Sequence, residues 1–278
     1  MSILMAILLG IVQGVAEFFP VSSSGHLSII QNLFKLGDGQ SSVFFDVLLH
    51  LGTFVSICIV YRKDLKAMIS DTVDFVRKRS DEEDGDRPVK PSVRMVMLVI
   101  AGTLPLIIAL PLYGFIEKLF SFTGFIGFAL LMNGVILFAA DRLAQKGTKN
   151  NRTMTMKDAI IIGFAQLVAL IPGISRSGTT ISVGMSRGLD RDFAVRFSLI
   201  LSLPAVFGAM LVSLFNAVKQ GIVWSDFAAL LVGFVIAAAV GVFVIMFLRR
   251  IMAKGKFGNF AYYCWGIGAL AIILSIIL

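Results

Sequence analysis

Within fourteen residues of an apolar chain, "QGVAEFFPVSSSGH" places Gln13, Glu17, three serines and His26. A second polar stretch, "PGISRSGTT", adds Arg176, flanked by Ser175, Ser177 and Thr180. A carboxylate, a hydroxyl and an imidazole can act as base, nucleophile and acid if they converge, which makes Glu17, Ser23 and His26 candidate catalytic residues. Glu17 stands one helical turn after Gln13, so both share a face. A guanidinium and hydroxyls just before an apolar helical run suit a phosphate cradle, with a forked cation and helix N–H groups as donors. On this reading Ser175, Arg176, Ser177 and Thr180 bind substrate phosphate and Gly178 permits close approach. The bland alternatives are a structural Glu17–Arg176 ion pair and Ser/Thr groups that only cap helices. A buried pair stabilises poorly on its own, and capping alone does not require an arginine at membrane depth, where an ionisable side chain is costly. Together the stretches point to phosphoryl-transfer hydrolysis. His50, inside an apolar run near Asp46, is expected to be a packed, hydrogen-bonded histidine, and Asn133 to bond between helices.

The elements that must position these groups are membrane helices. The 278 residues are 57% hydrophobic and 15% charged, which excludes an ordinary soluble domain. Runs near the roughly 20 residues of a spanning helix cover 43–61, 95–113, 123–140, 197–218, 227–248 and 260–277. Pro105 and Pro111 should kink the second. Tyr61, Tyr113, Trp224, Tyr262 and Tyr263 fall near span ends, as interfacial anchors do. Cys58 and Cys264 read as core residues, and no basic n-region or cleavage site marks a signal peptide. The net charge of +8 comes from basic connections and is not interleaved with aromatics, so no nucleic-acid partner is expected. Lys and Arg number nine over 62–94, five over 142–157, three over 187–196 and four over 249–256, whereas Lys35, Lys118 and Lys219 stand alone. The rich connections should be cytoplasmic. The longest, with "SDEEDGDRP", reads as a solvated linker.

This count leaves 1–34 and 158–187 to enter and leave on one face, each broken at its polar stretch and read as a re-entrant pair, although two complete spans in each place also satisfy the count. Shifted by 153 positions, Gly10, Gln13, Val15, Ala16, Ser22, Ser24 and Gly25 meet identical residues. In the adjacent register "FDVLLHLGT" meets "FSLILSLPA". The expected fold is all-α integral membrane: a single domain over 1–278, built as a first repeat, 1–141, and an inverted second repeat, 158–278. Each repeat holds a re-entrant helix pair and three transmembrane helices, giving six spans and two re-entrant pairs. Such repeats place polar sites where the helix breaks meet. Because transporters share that architecture, a flippase or anion transporter is the alternative to a hydrolase. A purely structural scaffold leaves the buried charges unexplained.

At these motifs the chain resembles the undecaprenyl-diphosphatase family, linked to bacitracin resistance. Gln13 and Glu17 match its Glu/Gln-to-Glu signature, "PVSSSGH" adjoins it, and "PGISRSGTT" matches P-G-x-S-R-S-x-x-T. The resemblance implies hydrolysis of undecaprenyl diphosphate to undecaprenyl phosphate and phosphate. That reaction recycles the lipid carrier for peptidoglycan and other cell-wall polymers. It implies a bacterial plasma-membrane enzyme acting on the outward side of the bilayer with a divalent cation, Mg2+ or Ca2+. By motif position Glu17, Ser23, His26 and Arg176 are central and Ser175, Ser177 and Thr180 supporting. Glu17 is also the candidate metal ligand, with the neutral Gln13 nearby where the family can carry Glu. Ser23 is the first choice of nucleophile, with His26 or water as alternatives. Homo-oligomerisation is left open.

Overall fold

The computed structural model describes residues 2–34, 40–81, 89–144, 147–220 and 227–277. Lys35, Trp224 and residues 82–88 of the acidic linker lie outside these, as do the side chains of Tyr113 and Lys219. The described chain is helical: α1 (Ile3–Ala16), α2 (Ser23–Phe34), α3 (Gln40–Val60), α4 (Arg62–Asp81), α5 (Pro91–Thr103), α6 (Tyr113–Leu119), α7 (Thr123–Leu143), α8 (Met156–Val168), α9 (Arg176–Ser186), α10 (Arg191–Gln220), α11 (Phe227–Ala253) and α12 (Phe260–Ile277). Five segments are long and apolar enough to cross a membrane: Pro91–Ala109, Thr123–Leu143, Arg191–Phe215, Phe227–Ala253 and Phe257–Ile277. A sixth candidate is the pair Phe44–Val60 and Arg62–Arg77, within α3 and α4, long and apolar enough only when taken together and bent by 79° at its break. This is a multi-pass membrane protein.

Two elements differ from expectation. The connection after α3, read as a loop and linker, folds through residue 81 as α4, whose polar composition suits a surface helix. Its helix is held by tertiary contacts: Asp71 accepts from Lys90 at 2.6 Å, and Arg196 donates to Asp64 at 2.7 Å. In the second predicted span, α5 tightens into a 3-10 helix over Leu104–Leu112. Pro105 and Pro111 supply no N–H for the i−4 bond and crowd the preceding turn, so the expected kink takes the form of a tightened stretch.

The remaining short helices form two pairs, α1–α2 and α8–α9. At 1.5 Å per residue α1 and α8 are each about 20 Å long, short of a bilayer core of about 30 Å. Matching positions pack alike. Gly10 lets α1 approach α11, where an added Cβ would stand 2.8 Å from the Gly233 carbonyl oxygen; Gly163 lets α8 approach α5 at the Gly102 carbonyl. The four basic connections meet through ion pairs, among them Arg196–Asp64, Arg249–Asp192, Arg191–Asp141 and Arg187–Asp158. They therefore gather on one face of the molecule.

Candidate active site

The two chain breaks share one local construction. In the first, Pro20 lies in the turn after α1 and Ser22 takes a left-handed φ of 68°. The Ser22 hydroxyl accepts from the Gly25 N–H at 3.3 Å and so caps α2. In the second, Gly173 has φ 101° and the Ser175 hydroxyl accepts from the Gly178 N–H at 3.1 Å, capping α9. Each cap hydroxyl lies beside the serine two residues on, Ser24 at 3.4 Å and Ser177 at 3.2 Å. The shared Ser-x-Ser-Gly is therefore a helix start used twice. Its glycines let the breaks interlock. A Cβ on Gly25 would stand 3.1 Å from Gly173 Cα, and one on Gly178 would stand 3.0 Å from Pro20 Cβ. Asn133 of α7, fully buried, joins them: Nδ2 donates to the Pro20 carbonyl at 2.9 Å and Oδ1 accepts from the Ser175 N–H at 3.0 Å.

The variable residue of each motif opens its helix and reaches the same carboxylate. Ser23 donates its hydroxyl to Glu17 Oε2 at 2.6 Å. Arg176 pairs with Glu17 Oε1. Gln13 Nε2 donates to Oε2 at 3.1 Å from one turn back. Glu17 itself is 8% exposed, at the C-terminus of α1. The positive dipole ends of α2 and α9 face it and offset the negative end of α1, on which Glu17 sits. A hydroxyl held on a carboxylate, beside a guanidinium that is 22% exposed, can deliver a nucleophile to an anion gripped by the arginine.

Other expected site residues are used differently. His26 does not join Glu17 and Ser23. Its Nδ1 faces the Ser22 carbonyl at 2.8 Å and its Nε2 the Tyr263 hydroxyl at 2.9 Å, with the two rings stacked. Facing a carbonyl, Nδ1 carries the hydrogen, so in the neutral ring Nε2 accepts from Tyr263. Ser175 caps α9. Thr180 donates to the Arg176 carbonyl at 2.8 Å and also bonds Ser198, while Ser177 leans on the Phe19 carbonyl at 3.4 Å. These three side chains, all buried, make the fold of the break; Arg176 is the member of the expected cradle that reaches the carboxylate. Gly178 makes room for Pro20.

His50 is hydrogen-bonded within its helix, as expected, and also stands near the carboxylate. Its Nδ1 donates to the Asp46 carbonyl at 2.8 Å, which turns Nε2 to within 4.0 Å of Glu17 Oε2. The signal was present: it is the second histidine of the chain, at membrane depth, where ionisable groups are functional by default. Tyr263, read only as an anchor, holds His26.

Among the described residues no three His, Cys, Asp or Glu side chains group to hold a metal. Gln13 Oε1 is buried without a hydrogen-bond partner. With Glu17 it gives two protein oxygens, a donor set that suits a cation carried largely by substrate phosphates.

The description "Bacitracin resistance protein BacA" matches residues 6–270. The chain belongs to this family. It is 38% identical to a protein named undecaprenyl-diphosphatase from Carboxydothermus hydrogenoformans, over 97% of this chain and 96% of that one. A protein of the same name from Halothermothrix orenii is 38% identical over 99% of both, and one from Geotalea daltonii 40% identical over 98% of both.

Proposed function

We propose that the protein hydrolyses undecaprenyl diphosphate to undecaprenyl phosphate and phosphate, with Glu17, Ser23 and Arg176 as the reacting centre. The observation that carries this reading is the meeting of Ser23 and Arg176, opening residues of two matched helices, on opposite oxygens of Glu17. Arg176 transfers its hydrogen bonds from Glu17 to the terminal phosphate and stabilises the charge of the loose transition state. Ser23 Oγ attacks the terminal phosphorus as its proton passes to Glu17 Oε2. The bond from phosphorus to the bridging oxygen breaks, and undecaprenyl phosphate leaves with that electron pair. Water, deprotonated at the same carboxylate, then cleaves the phosphoserine to free phosphate and restores the Ser23 hydroxyl. Between the two steps His50 Nε2 takes the first proton from Glu17 and passes it to solvent, so the carboxylate can accept a proton from water and return it to Ser23 Oγ as the phosphoserine is cleaved.

A divalent cation, Mg2+ or Ca2+, would be held by the substrate diphosphate with Glu17 and Gln13 Oε1, and would neutralise phosphate charge. The domain reading of two inverted repeats, 1–141 and 158–278, is supported by the matched caps and interlocking glycines. We place the chain in a bacterial plasma membrane with its basic connections in the cytoplasm and the reacting centre opening outward, where such a product feeds cell-wall synthesis.

The transporter alternative is not favoured for a chain whose relatives carry a hydrolase name. Detergent separates the two, because it abolishes vectorial transport and leaves hydrolysis. Purified protein should release phosphate from a prenyl diphosphate when Mg2+ or Ca2+ is present. No release with any divalent cation would overturn the assignment.

A further inference from the structure

About 16 Å along α3 from His50, by the helical rise, the chain turns into α4 beside a second polar pocket. Its volume is about 260 Å3 and its walls come from the α3–α4 elbow, the first turns of α10 and the end of α11. Two of its carboxylates are already paired: Asp64 accepts from Arg196 at 2.7 Å, and Asp192 accepts from Arg249 at 2.9 and 3.2 Å. Arg62 and Lys63 add two further cations to the lining, so positive charge exceeds negative. Tyr61, 4% exposed, also lines the pocket, and its buried hydroxyl makes no hydrogen bond; neither does the buried Nε of Arg196. Two orphaned donors and surplus cations are complementary to an anion with several acceptor oxygens. The first turn of α4 adds the positive end of its dipole.

The position of the pocket points to the source of that anion. It sits where a spanning helix ends and α4 leaves at 79°. On α4, Ile69, Val73 and Val76 are 68%, 59% and 60% exposed at successive-turn spacing, while Arg62, Lys63, Lys66 and Arg77 outnumber Asp64, Asp71 and Asp74. A basic amphipathic helix turned away from a span lies in the interfacial plane, with its apolar face at the acyl boundary. That sets the pocket at headgroup depth. We propose that the α3–α4 elbow binds a phosphate group supplied by the headgroup of an anionic phospholipid, at a site separate from the Glu17 centre.

The test uses the full-length protein purified in detergent. It is titrated with phosphatidylglycerol, phosphatidylcholine or inorganic phosphate, and bound lipid is counted by native mass spectrometry. Wild type should retain phosphatidylglycerol in preference to phosphatidylcholine, whose ammonium would face Arg62 and Lys63. Tyr61→Phe removes only the hydroxyl, and Arg62→Gln with Lys63→Gln removes the uncompensated cations. Each variant should weaken phosphatidylglycerol retention by about tenfold, the scale of one charge-assisted hydrogen bond. Phosphate release from prenyl diphosphate by these variants should stay at the wild-type level, which shows that they are folded. Equal phosphatidylglycerol retention by folded variants and wild type would overturn the proposal. So would binding of inorganic phosphate that phosphatidylglycerol does not displace, which would make the pocket a free-phosphate site.

Discussion

Replacing Glu17 by Gln tests the centre most directly, because an amide cannot satisfy both of its sides. In the native site Oε2 accepts from Ser23 and Gln13, while Oε1 faces Arg176. If the amide oxygen of Gln takes the Oε2 position, its NH2 meets the guanidinium, donor against donor. If it is flipped, the NH2 meets the Gln13 amide and leaves the Ser23 proton without an acceptor. Breaking a buried pair costs about 3–5 kcal/mol. Arg176 retains 22% side-chain exposure, so the lower end, about 3 kcal/mol, applies. That corresponds to a fall in Tm of about 5 °C at this chain length. The effect on turnover is larger. Loss of a general base lowers kcat by about 10²–10⁴-fold, equivalent to about 2.7–5.5 kcal/mol of barrier. Glu17→Asp keeps the charge but withdraws it by one methylene, and a misplacement of this size lowers kcat by about 10²-fold. The assay is phosphate release from a prenyl diphosphate by detergent-purified variants whose folding is verified by thermal unfolding. A folded Glu17→Gln protein with kcat within about threefold of wild type would refute the reasoning.

Further outcomes follow from the same geometry. Ser23→Ala should lose at least about 10³-fold in kcat, whereas His26→Ala, which disturbs a ring held by Tyr263, should lose less than about tenfold; steady-state kinetics in the reverse order would exclude Ser23 as nucleophile. Asn133→Leu leaves the Ser175 N–H unpaired, at about 1–3 kcal/mol, and the Pro20 carbonyl with only the Cys264 thiol at 3.7 Å, and should lower Tm and kcat together; unchanged thermal unfolding would remove its role as the tie between breaks. Gln13→Glu adds a second carboxylate one turn before Glu17 and should lower the Mg2+ concentration giving half-maximal activity. A titration showing no shift would separate this position from the cation.

The spanning segments were legible because burial in lipid demands length and apolarity, properties of composition that packing does not alter. The repeated Ser-x-Ser-Gly was legible too, since a helix N-cap is set by three or four consecutive residues. Glu17, Ser23 and Arg176 stood out because polar groups at membrane depth require a reason. What each side chain bonds was not legible. His26 and His50 are both histidines near polar neighbours, and sequence order favoured His26, closer to Ser23. The turn of α2 carries the ring of His26 to Tyr263, while α3 brings Nε2 of His50 toward Glu17. Ser175, Ser177 and Thr180 have the chemistry of phosphate ligands. Their burial in the interlocked breaks engages them in hydrogen bonds within the fold, a result of how the two halves meet. The helix α4 was hidden because its charges resemble those of a solvated loop, and only its contacts with residue 90 and α10 reveal what holds it. Residue types and local spacing thus determined the spans, the caps and the candidate groups of the site. The tertiary structure decided which groups meet, because the carboxylate and the guanidinium that pair lie 159 positions apart and only the interlocking of the two halves brings them together.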